Sequence, residues 1–271
     1  MITVLGSGGF IGSHIVKRLQ SDNVPYFAPS RGEPLARRHL GQIIYCIGLT
    51  ADFRSRPFDT LEAHVCNLLE IIRTTEFDRL LYLSSTRLYQ SCDEIAYEDT
   101  CFEVNPLHPG DLYNVSKAAG EALVAACGKR GKIARLSNVY GGDFRSSNFL
   151  ASVLTDAVSK QKVVLNSSLE SEKDYVSIDT VVDILLEIAT NAKETLYNVA
   201  SGTNVTHREL MDRISRLTGC EVLVSADAQT TRFPRISIER IRSEFVYTPS
   251  NVLTDLEKTI SLYKAEEGIS Q

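Results

Sequence analysis

The sequence predicts an α/β fold built on a doubly wound parallel sheet. Short apolar runs of strand length alternate with longer stretches that carry apolar residues at helical spacing, and the first run ends in a cluster of glycines. This alternation is typical of parallel sheets, because a helix must carry the chain back across the sheet before each new parallel strand. At 271 residues, we expect one such domain with a smaller attached lobe.

The first half of the chain gives the clearest elements. Residues 1–5 are apolar, glycines stop the run, and Ile11, Ile15 and Leu19 then recur at helical spacing, which predicts a strand, a tight turn and a helix. Further buried strands are predicted at 24–28, 43–47, 80–83 and 133–136, with helices near 58–74 and 111–129. The short segment before Ile43 leaves room for a loop but not for a further strand.

The predicted elements of the second half of the chain alternate less regularly. They are a helix at 148–160, a strand at 163–165, an apolar helix at 179–190 and a strand at 196–199. Thr206 and Glu209 have the capping-box spacing that starts a helix, here running to about Thr218.

Composition narrows the class of partner. The chain has 29 Lys plus Arg against 34 Asp plus Glu, and its basic residues are dispersed, so a nucleic-acid partner is disfavoured. No apolar run approaches the ~20 residues that span a bilayer, and no leader pattern opens the sequence, so we expect a cytoplasmic protein without a membrane partner. The six cysteines and five histidines lack metal-ligand spacing, which predicts reduced thiols and no metal site.

Gly6, Gly9 and Gly12 follow the first strand and open the first helix. A pyrophosphate binds in such a turn because glycine lets it approach the backbone, and because the helix N-terminus offers unpaired N–H groups and a partial positive charge. The position predicts a dinucleotide site, although three glycines could serve packing alone.

The end of the second predicted strand bears on the choice of dinucleotide. A carboxylate there usually binds the free 2′-hydroxyl of the adenosine ribose, whereas this chain has Ser30 and Arg31. These residues could hold a 2′-phosphate, so the sequence favours NADP over NAD. The alternative is that Arg31 is an ordinary exposed loop residue.

Tyr113 and Lys117 lie four residues apart in a predicted helix and therefore share one face. A lysine ammonium beside a phenol favours the phenolate, which would let Tyr113 move a proton at neutral pH. Ser84, Ser85 and Thr86 follow a predicted strand, where a hydroxyl could hold the reacting oxygen beside Tyr113. The alternatives are an exposed Tyr/Lys pair and serines that only cap a turn.

An ordered set of motifs resembles the extended short-chain dehydrogenase/reductases and, more narrowly, the nucleotide-sugar epimerase/dehydratase family. The motifs are Gly6-Ser-Gly-Gly-Phe-Ile-Gly12, Ser84-Ser85-x-x-x-Tyr89, Tyr113-x-x-x-Lys117, Arg135-x-x-Asn138-Val-Tyr-Gly141, Asp174-Tyr-Val176 and Tyr197-Asn-Val199. The resemblance covers residues 1 to about 260. It implies a Rossmann-type sheet with a smaller C-terminal α/β lobe that binds the substrate.

The resemblance also implies roles for individual residues. The catalytic residues would be Ser85, Tyr113 and Lys117. The cofactor would contact Gly6, Gly9, Phe10, Ile11, Gly12, Ser30, Arg31, Gly48, Thr50, Tyr113 and Lys117. The nucleotide-sugar substrate would contact Thr86, Asn138, Asn148, Lys173 and Arg235, with no metal involved.

Two departures from the family narrow the expected reaction. Sugar 4,6-dehydratases carry an acidic residue just after the catalytic hydroxyl, whereas this chain has Thr86 and Arg87, so dehydration is not expected. Related epimerases carry a cofactor-contacting lysine where this chain has Thr50. We therefore expect a keto-sugar reductase or an epimerase, with the reductase slightly favoured. The alternatives are a reductase of a non-sugar ketone and a dinucleotide-binding sensor without turnover.

The domain organisation follows from the same resemblance. We expect a dinucleotide-binding domain over 1–142 and roughly 174–190, interwoven with a substrate-binding lobe over 143–173 and 191–271. Members of the family often dimerise through a four-helix bundle. The helix that carries Tyr113 and the helix near 58–74 could form such a bundle here.

Overall fold

A computed structural model describes residues 1–50, 52–142, 144, 146 and 148–268 of the chain. The strands are β1 (Ile2–Leu5), β2 (Tyr26–Phe27), β3 (Gln42–Tyr45), β4 (Arg79–Ser85), β5 (Gly131–Leu136), β6 (Asn138–Tyr140), β7 (Lys162–Ser167), β8 (Glu172–Ser177), β9 (Leu196–Val199), β10 (Asn204–Thr206) and β11 (Glu221–Gln229).

The helices are α1 (Phe10–Ser21), α2 (Pro57–Leu61), α3 (Asn67–Thr74), α4 (Leu112–Ala125), α5 (Phe149–Thr155), α6 (Ile178–Asn191), α7 (His207–Thr218), α8 (Glu239–Glu244) and α9 (Val252–Glu266). A π-helical turn, Glu62–Cys66, joins α2 to α3, and a second one, Asp156–Lys160, follows α5. In the part of the chain that the structure describes, no helix is both long and apolar enough to cross a membrane.

The central sheet confirms the predicted fold class. Its six strands run in the order β2-β1-β3-β4-β5-β9, and every neighbouring pair is parallel. Residues 28–41, all of which are described, contain no strand, as the short spacing predicted. Because β1 lies between β2 and β3, the strand order reverses there, and ligands of such sheets bind at this switch point, beyond the carboxyl ends of the strands.

Smaller sheets cover these carboxyl ends. Strand β8 pairs with β6 in parallel and with β10 antiparallel, while β11 pairs with β7 in parallel. Their apolar side chains form a core of their own around Leu154, Leu165, Leu210 and Tyr263. The core between the central sheet and α6 includes Leu81 and Leu185. Separate cores agree with two lobes, but the domain bounds stay a prediction, and the bounds at 143 and 271 lie outside the described residues.

Candidate active site

A cavity of about 370 Å³ lies beyond the carboxyl ends of β3, β4 and β5, between the central sheet and the second core. It brings together residues that the sequence analysis took from both halves of the chain. Its predicted site residues are Gly9, Phe10, Ile11, Gly48, Thr50, Ser85, Thr86, Tyr113, Lys117, Asn138, Asn148 and Lys173. Gly6, Gly12, Ser30, Arg31 and Arg235 are not among the lining residues described.

The glycine turn fits the pyrophosphate of a dinucleotide. Gly6 has a φ of +82°, which side-chain-bearing residues rarely adopt, and a Cβ at Gly12 would lie 2.3 Å from the Gly6 carbonyl oxygen. Gly9 stands at the N-cap of α1 and has no side chain to satisfy the first amides of the helix. Those amides therefore offer an anion site at one end of the cavity.

Tyr113 is 5% exposed, in the first turn of α4, and lines the cavity together with Ser85. Ser85 ends β4, where its Oγ also accepts the backbone N–H of Arg87 at 3.2 Å. Burial raises the pKa of Tyr113, and the Ser85 hydrogen bond and the positive charge of Arg87 oppose that rise. The pair can thus present a hydroxyl and a titratable phenol to one substrate oxygen.

Lys117 lies one helical turn after Tyr113 and points at the same cavity. Its Nζ donates to the Leu83 carbonyl at 2.8 Å and is 5.8 Å from the centre of the Tyr113 ring. Burial lowers the pKa of Lys117 to about 7, against the opposing charge of Glu121. Arg87 is a second cation at a similar distance, 5.9 Å from the centre of the Tyr113 ring, and its charge lowers the pKa of the phenol.

The sequence analysis did not predict that Arg87 lies beside Tyr113. It noted only that Arg87 stands where sugar 4,6-dehydratases have an acidic residue. The guanidinium of Arg87 lies over the rings of Phe53 and Tyr113, 5.3 Å and 5.9 Å from their centres. The one signal available in the sequence was its position two residues after Ser85, at the end of a strand.

His64, in the π-helical turn, forms hydrogen bonds with both the loop after β3 and helix α4. Its Nε2 accepts the backbone N–H of Leu49 at 3.2 Å. Nδ1 therefore carries the proton and donates to the Ser116 hydroxyl at 2.8 Å. Burial lowers the pKa of His64 to about 2, so the ring is neutral near pH 7. The arrangement positions Gly48 and Tyr113 on either side of the imidazole.

The other end of the cavity carries Lys173. Its Nζ is 5.2 Å from the centre of the Phe149 ring and 5.9 Å from that of Phe233. Burial, with the charge of Arg87, lowers the pKa of Lys173. Asn138 lies beside it and donates to the Asp174 carbonyl at 2.8 Å.

Asp174 and Arg235 shape a neighbouring turn. The Asp174 carboxylate accepts backbone N–H groups at residues 201, 202 and 203, over 2.7–3.1 Å. Arg235 donates from Nε to the Gly202 carbonyl at 2.9 Å. With Arg232 it lines a second cavity, so the structure does not bring Arg235 to the cavity of Tyr113.

Four of the motif residues meet in a buried network behind the site. Arg135 donates to both carboxylate oxygens of Glu121, at 2.9 Å and 2.6 Å, and to the Tyr89 hydroxyl at 2.5 Å. Tyr89 in turn donates to Asn198 at 2.9 Å, and Ser84 donates to Glu121 at 2.5 Å. These motif residues therefore join β4, β5, β9 and α4 to one another.

The expected adenosine end has a carboxylate that the sequence analysis did not consider. Glu33 accepts the backbone N–H of Ser30 at 3.2 Å and pairs with Arg38 at 3.0 Å. Ser30 and Arg31 are both exposed. Among the residues described, no cluster of three or more His, Cys, Asp or Glu could hold a metal ion.

Comparison with known proteins assigns the chain to a family. The model of the NAD dependent epimerase/dehydratase family matches residues 2–200. A protein of Methanocaldococcus jannaschii named as a proposed UDP-glucose 4-epimerase is 25% identical over 258 residues, covering 81% of this chain and 83% of that protein. A Streptomyces protein named dTDP-4-dehydro-6-deoxy-D-allose reductase is 21% identical, covering 97% and 96%.

Solved structures share the fold. RMD from Pseudomonas aeruginosa, complexed with NADPH, superposes with a TM-score of 0.79 at 19% identity, covering 97% of this chain and 99% of that one. MoeE5 in complex with UDP-glucose and NAD gives 0.81 at 19%, covering 99% of both chains. TunA, an NAD-dependent NDP-hexosamine 5,6-dehydratase of tunicamycin biosynthesis, gives 0.81 at 17%, covering 97% of both.

Proposed function

Because the chain belongs to the NAD dependent epimerase/dehydratase family, we propose that it is a nicotinamide-dependent oxidoreductase of nucleotide-diphosphate sugars. It acts as a keto-sugar reductase or as an epimerase. The observation that carries the proposal is that Ser85, Tyr113 and Lys117 line one cavity, which runs from Gly9 to Lys173.

Residues of this chain can transfer the proton that the reaction moves to and from the substrate oxygen. Tyr113 gives its phenolic proton to the substrate oxygen during reduction and takes it back during oxidation, while Ser85 Oγ holds the same oxygen by a hydrogen bond. Lys117, with a pKa near 7, can be either protonated or neutral at Nζ at working pH. A bound nicotinamide dinucleotide would supply or accept the hydride.

The diphosphate of the substrate belongs at the Lys173 end of the cavity. Lys173 is half-buried against two aromatic rings and makes no ion pair with a carboxylate among the described residues, so an anion there would satisfy its charge. Asn138 and Asn148 line the same end. Arg235 contributes only through the second cavity.

Among the lining residues that the structure describes, elimination of water lacks a free carboxylic acid. Asp174 is the one carboxylate among the lining residues described, and it is committed to the turn at 201–203. Thr86 and Arg87 stand after Ser85 instead of an acidic residue. For these reasons we do not propose a 4,6-dehydratase.

We favour NADP as the cofactor, with Ser30 and Arg31 at its 2′-phosphate, although the Glu33 carboxylate beside Ser30 weakens that preference. The cytoplasmic location and the homodimer through α2, α3 and α4 also stay proposals. The exposed ring of Phe58, at the start of α2, supports an interface on that side.

The proposal is tested by thermal unfolding of the protein with NADPH and a panel of nucleoside diphosphates, followed by turnover of matching keto-sugars. A ligand that binds only the folded state raises the unfolding temperature. We expect a rise with at least one diphosphate. No rise with any diphosphate, together with a rise and turnover with an uncharged ketone, would instead support the non-sugar reductase. Dinucleotide binding without any turnover would support the sensor.

A further inference from the structure

Arg87 carries unused hydrogen-bonding capacity at the reacting end of the cavity. Its side chain is half-buried, one Nη donates to the Gly110 carbonyl at 3.3 Å, and its Nε is buried without a hydrogen-bond partner. A guanidinium has five N–H donors in a planar fork, and a buried donor left unpaired is unfavourable. Because Nε is closed to solvent, a ligand group in the cavity would accept hydrogen bonds from the Nη atoms, of which only one has a partner among the described residues.

The charge of Arg87 is also unmatched. Among the described residues, no carboxylate forms an ion pair with it. Burial lowers the pKa of Arg87, and the charges of the Tyr113 phenol and of Asp111 raise it. The Asp111 oxygens, however, accept hydrogen bonds from Gln90 and the Asn105 backbone instead. Arg54 lies 4.5 Å from the centre of the same Phe53 ring and adds a second positive charge. The local surplus of positive charge favours an anion.

The position of Arg87 indicates which part of the substrate carries the negative charge. Its guanidinium lies over the ring of Tyr113, and its backbone N–H binds Ser85, so both groups that hold the reacting oxygen are its neighbours. The diphosphate is assigned above to Lys173. An anion at Arg87 therefore belongs to the sugar itself, close to the reacting carbon.

We propose that Arg87 binds a carboxylate on the sugar, and that the substrate is a nucleotide-linked uronic acid or its keto derivative. This inference rests on the proposed function. A carboxylate matches the planar fork of a guanidinium through two parallel hydrogen bonds. The buried hydroxyl-bearing Thr86, also in the cavity lining, lies beside it in sequence.

The test is calorimetric titration of the NADPH-bound protein with three probes: UDP-glucuronate, UDP-glucose and UDP. The dTDP counterparts of all three are used in parallel. We expect the glucuronate to bind about tenfold more tightly than the glucose, as for a hydrogen-bonded charge. In Arg87→Gln this preference disappears, while the affinity for the nucleoside diphosphate stays within about twofold.

Arg56→Gln is the matched control, since Arg56 is exposed and paired with Asp59, and the preference should survive in it. Should Arg87→Gln fail to fold, Arg87→Lys keeps the charge and loses the fork, and we expect it to lose part of the preference.

Three outcomes would overturn the inference. If Arg87→Gln weakens UDP as much as UDP-glucuronate, the anion at Arg87 is the diphosphate. If the wild type binds glucuronate and glucose conjugates equally, Arg87 recognises no carboxylate, while the proposed function stands. If no nucleotide binds the wild type at all, the proposed function and this inference fail together.

Discussion

Lys117 Nζ donates a hydrogen bond of 2.8 Å to the backbone carbonyl of Leu83, in the strand that ends at Ser85. This contact joins the helix of Tyr113 to the strand of Ser85, so one buried ammonium helps to set the distance between the two hydroxyls. It also removes a charge from water, and burial lowers its pKa accordingly.

Replacement of Lys117 by Met should change how stability depends on pH. The pKa of Lys117 is about 7 in the folded protein and 10.5 as an unperturbed side chain, so between these values the unfolded state binds more protons. Stability from this group therefore rises with pH from about 7 to 10.5 and is lowest below 7, where the buried ammonium is charged. We expect Lys117→Met to lose turnover and yet to be more stable than the wild type near pH 7.

Urea unfolding of both proteins at several pH values from 6 to 10 measures this difference. The advantage of the variant should shrink as pH rises. If the variant is instead less stable than the wild type by the same amount at every pH, burial of the Lys117 ammonium does not destabilise the folded protein.

Loss of the Glu121 carboxylate should be strongly destabilising. Glu121→Gln leaves the Arg135 guanidinium charged and buried without its counter-ion, which typically costs about 3–5 kcal/mol. Asp59→Asn breaks an exposed pair with Arg56 and should cost under about 1 kcal/mol. Chemical denaturation measures the free energy of unfolding of both variants. Equally small losses of stability would show that the buried pair of Glu121 and Arg135 does not stabilise the site.

A methyl group at Gly12 should disturb the glycine turn. Its Cβ would meet the Gly6 carbonyl oxygen at 2.3 Å, so Gly12→Ala should lower stability by about 1–3 kcal/mol and weaken NADPH binding. Gly8→Ala is the matched control, because nothing lies within 4 Å of a Cβ there. Thermal unfolding and fluorescence titration with NADPH distinguish them, and indistinguishable variants would contradict the packing argument.

The choice of dinucleotide can be tested at Arg31 and Glu33. We expect the wild type to bind NADP more tightly than NAD, and Arg31→Ala to lose more affinity for NADP than for NAD. Glu33→Gln should strengthen NADP binding, because it removes a negative charge beside Ser30. Equal or tighter binding of NAD by the wild type would refute the preference.

The sequence was most informative where the signals are local. The run from β1 through the glycines to α1 and the capping box of Thr206 and Glu209 all appear in the structure as predicted. In these cases a few neighbouring residues determine the backbone, through glycine, the apolar period or a side chain that caps its own helix. The parallel sheet followed because the alternation of such elements admits few other folds.

Features that depend on distant contacts were not predictable in this way. Strand β11 is mostly exposed and owes its pairing to β7, about 60 residues earlier, and its own sequence lacks a clean alternation. The neighbours of Arg87 come from the loop before α2, the turn before α4 and α4 itself. Motif residues such as Arg135 could be recognised from the sequence, but their structural role needed the contacts to Glu121 and Tyr89.

The central claim is that the Tyr113 phenol transfers the proton at the reacting oxygen. It is tested most directly by Tyr113→Phe, assayed for NADPH-linked turnover of the nucleotide-sugar that the wild type converts, with NADPH affinity measured alongside. We expect turnover to fall by about 10²-fold or more while NADPH affinity stays within about twofold. A Tyr113→Phe protein that turns over at nearly the wild-type rate would contradict the account.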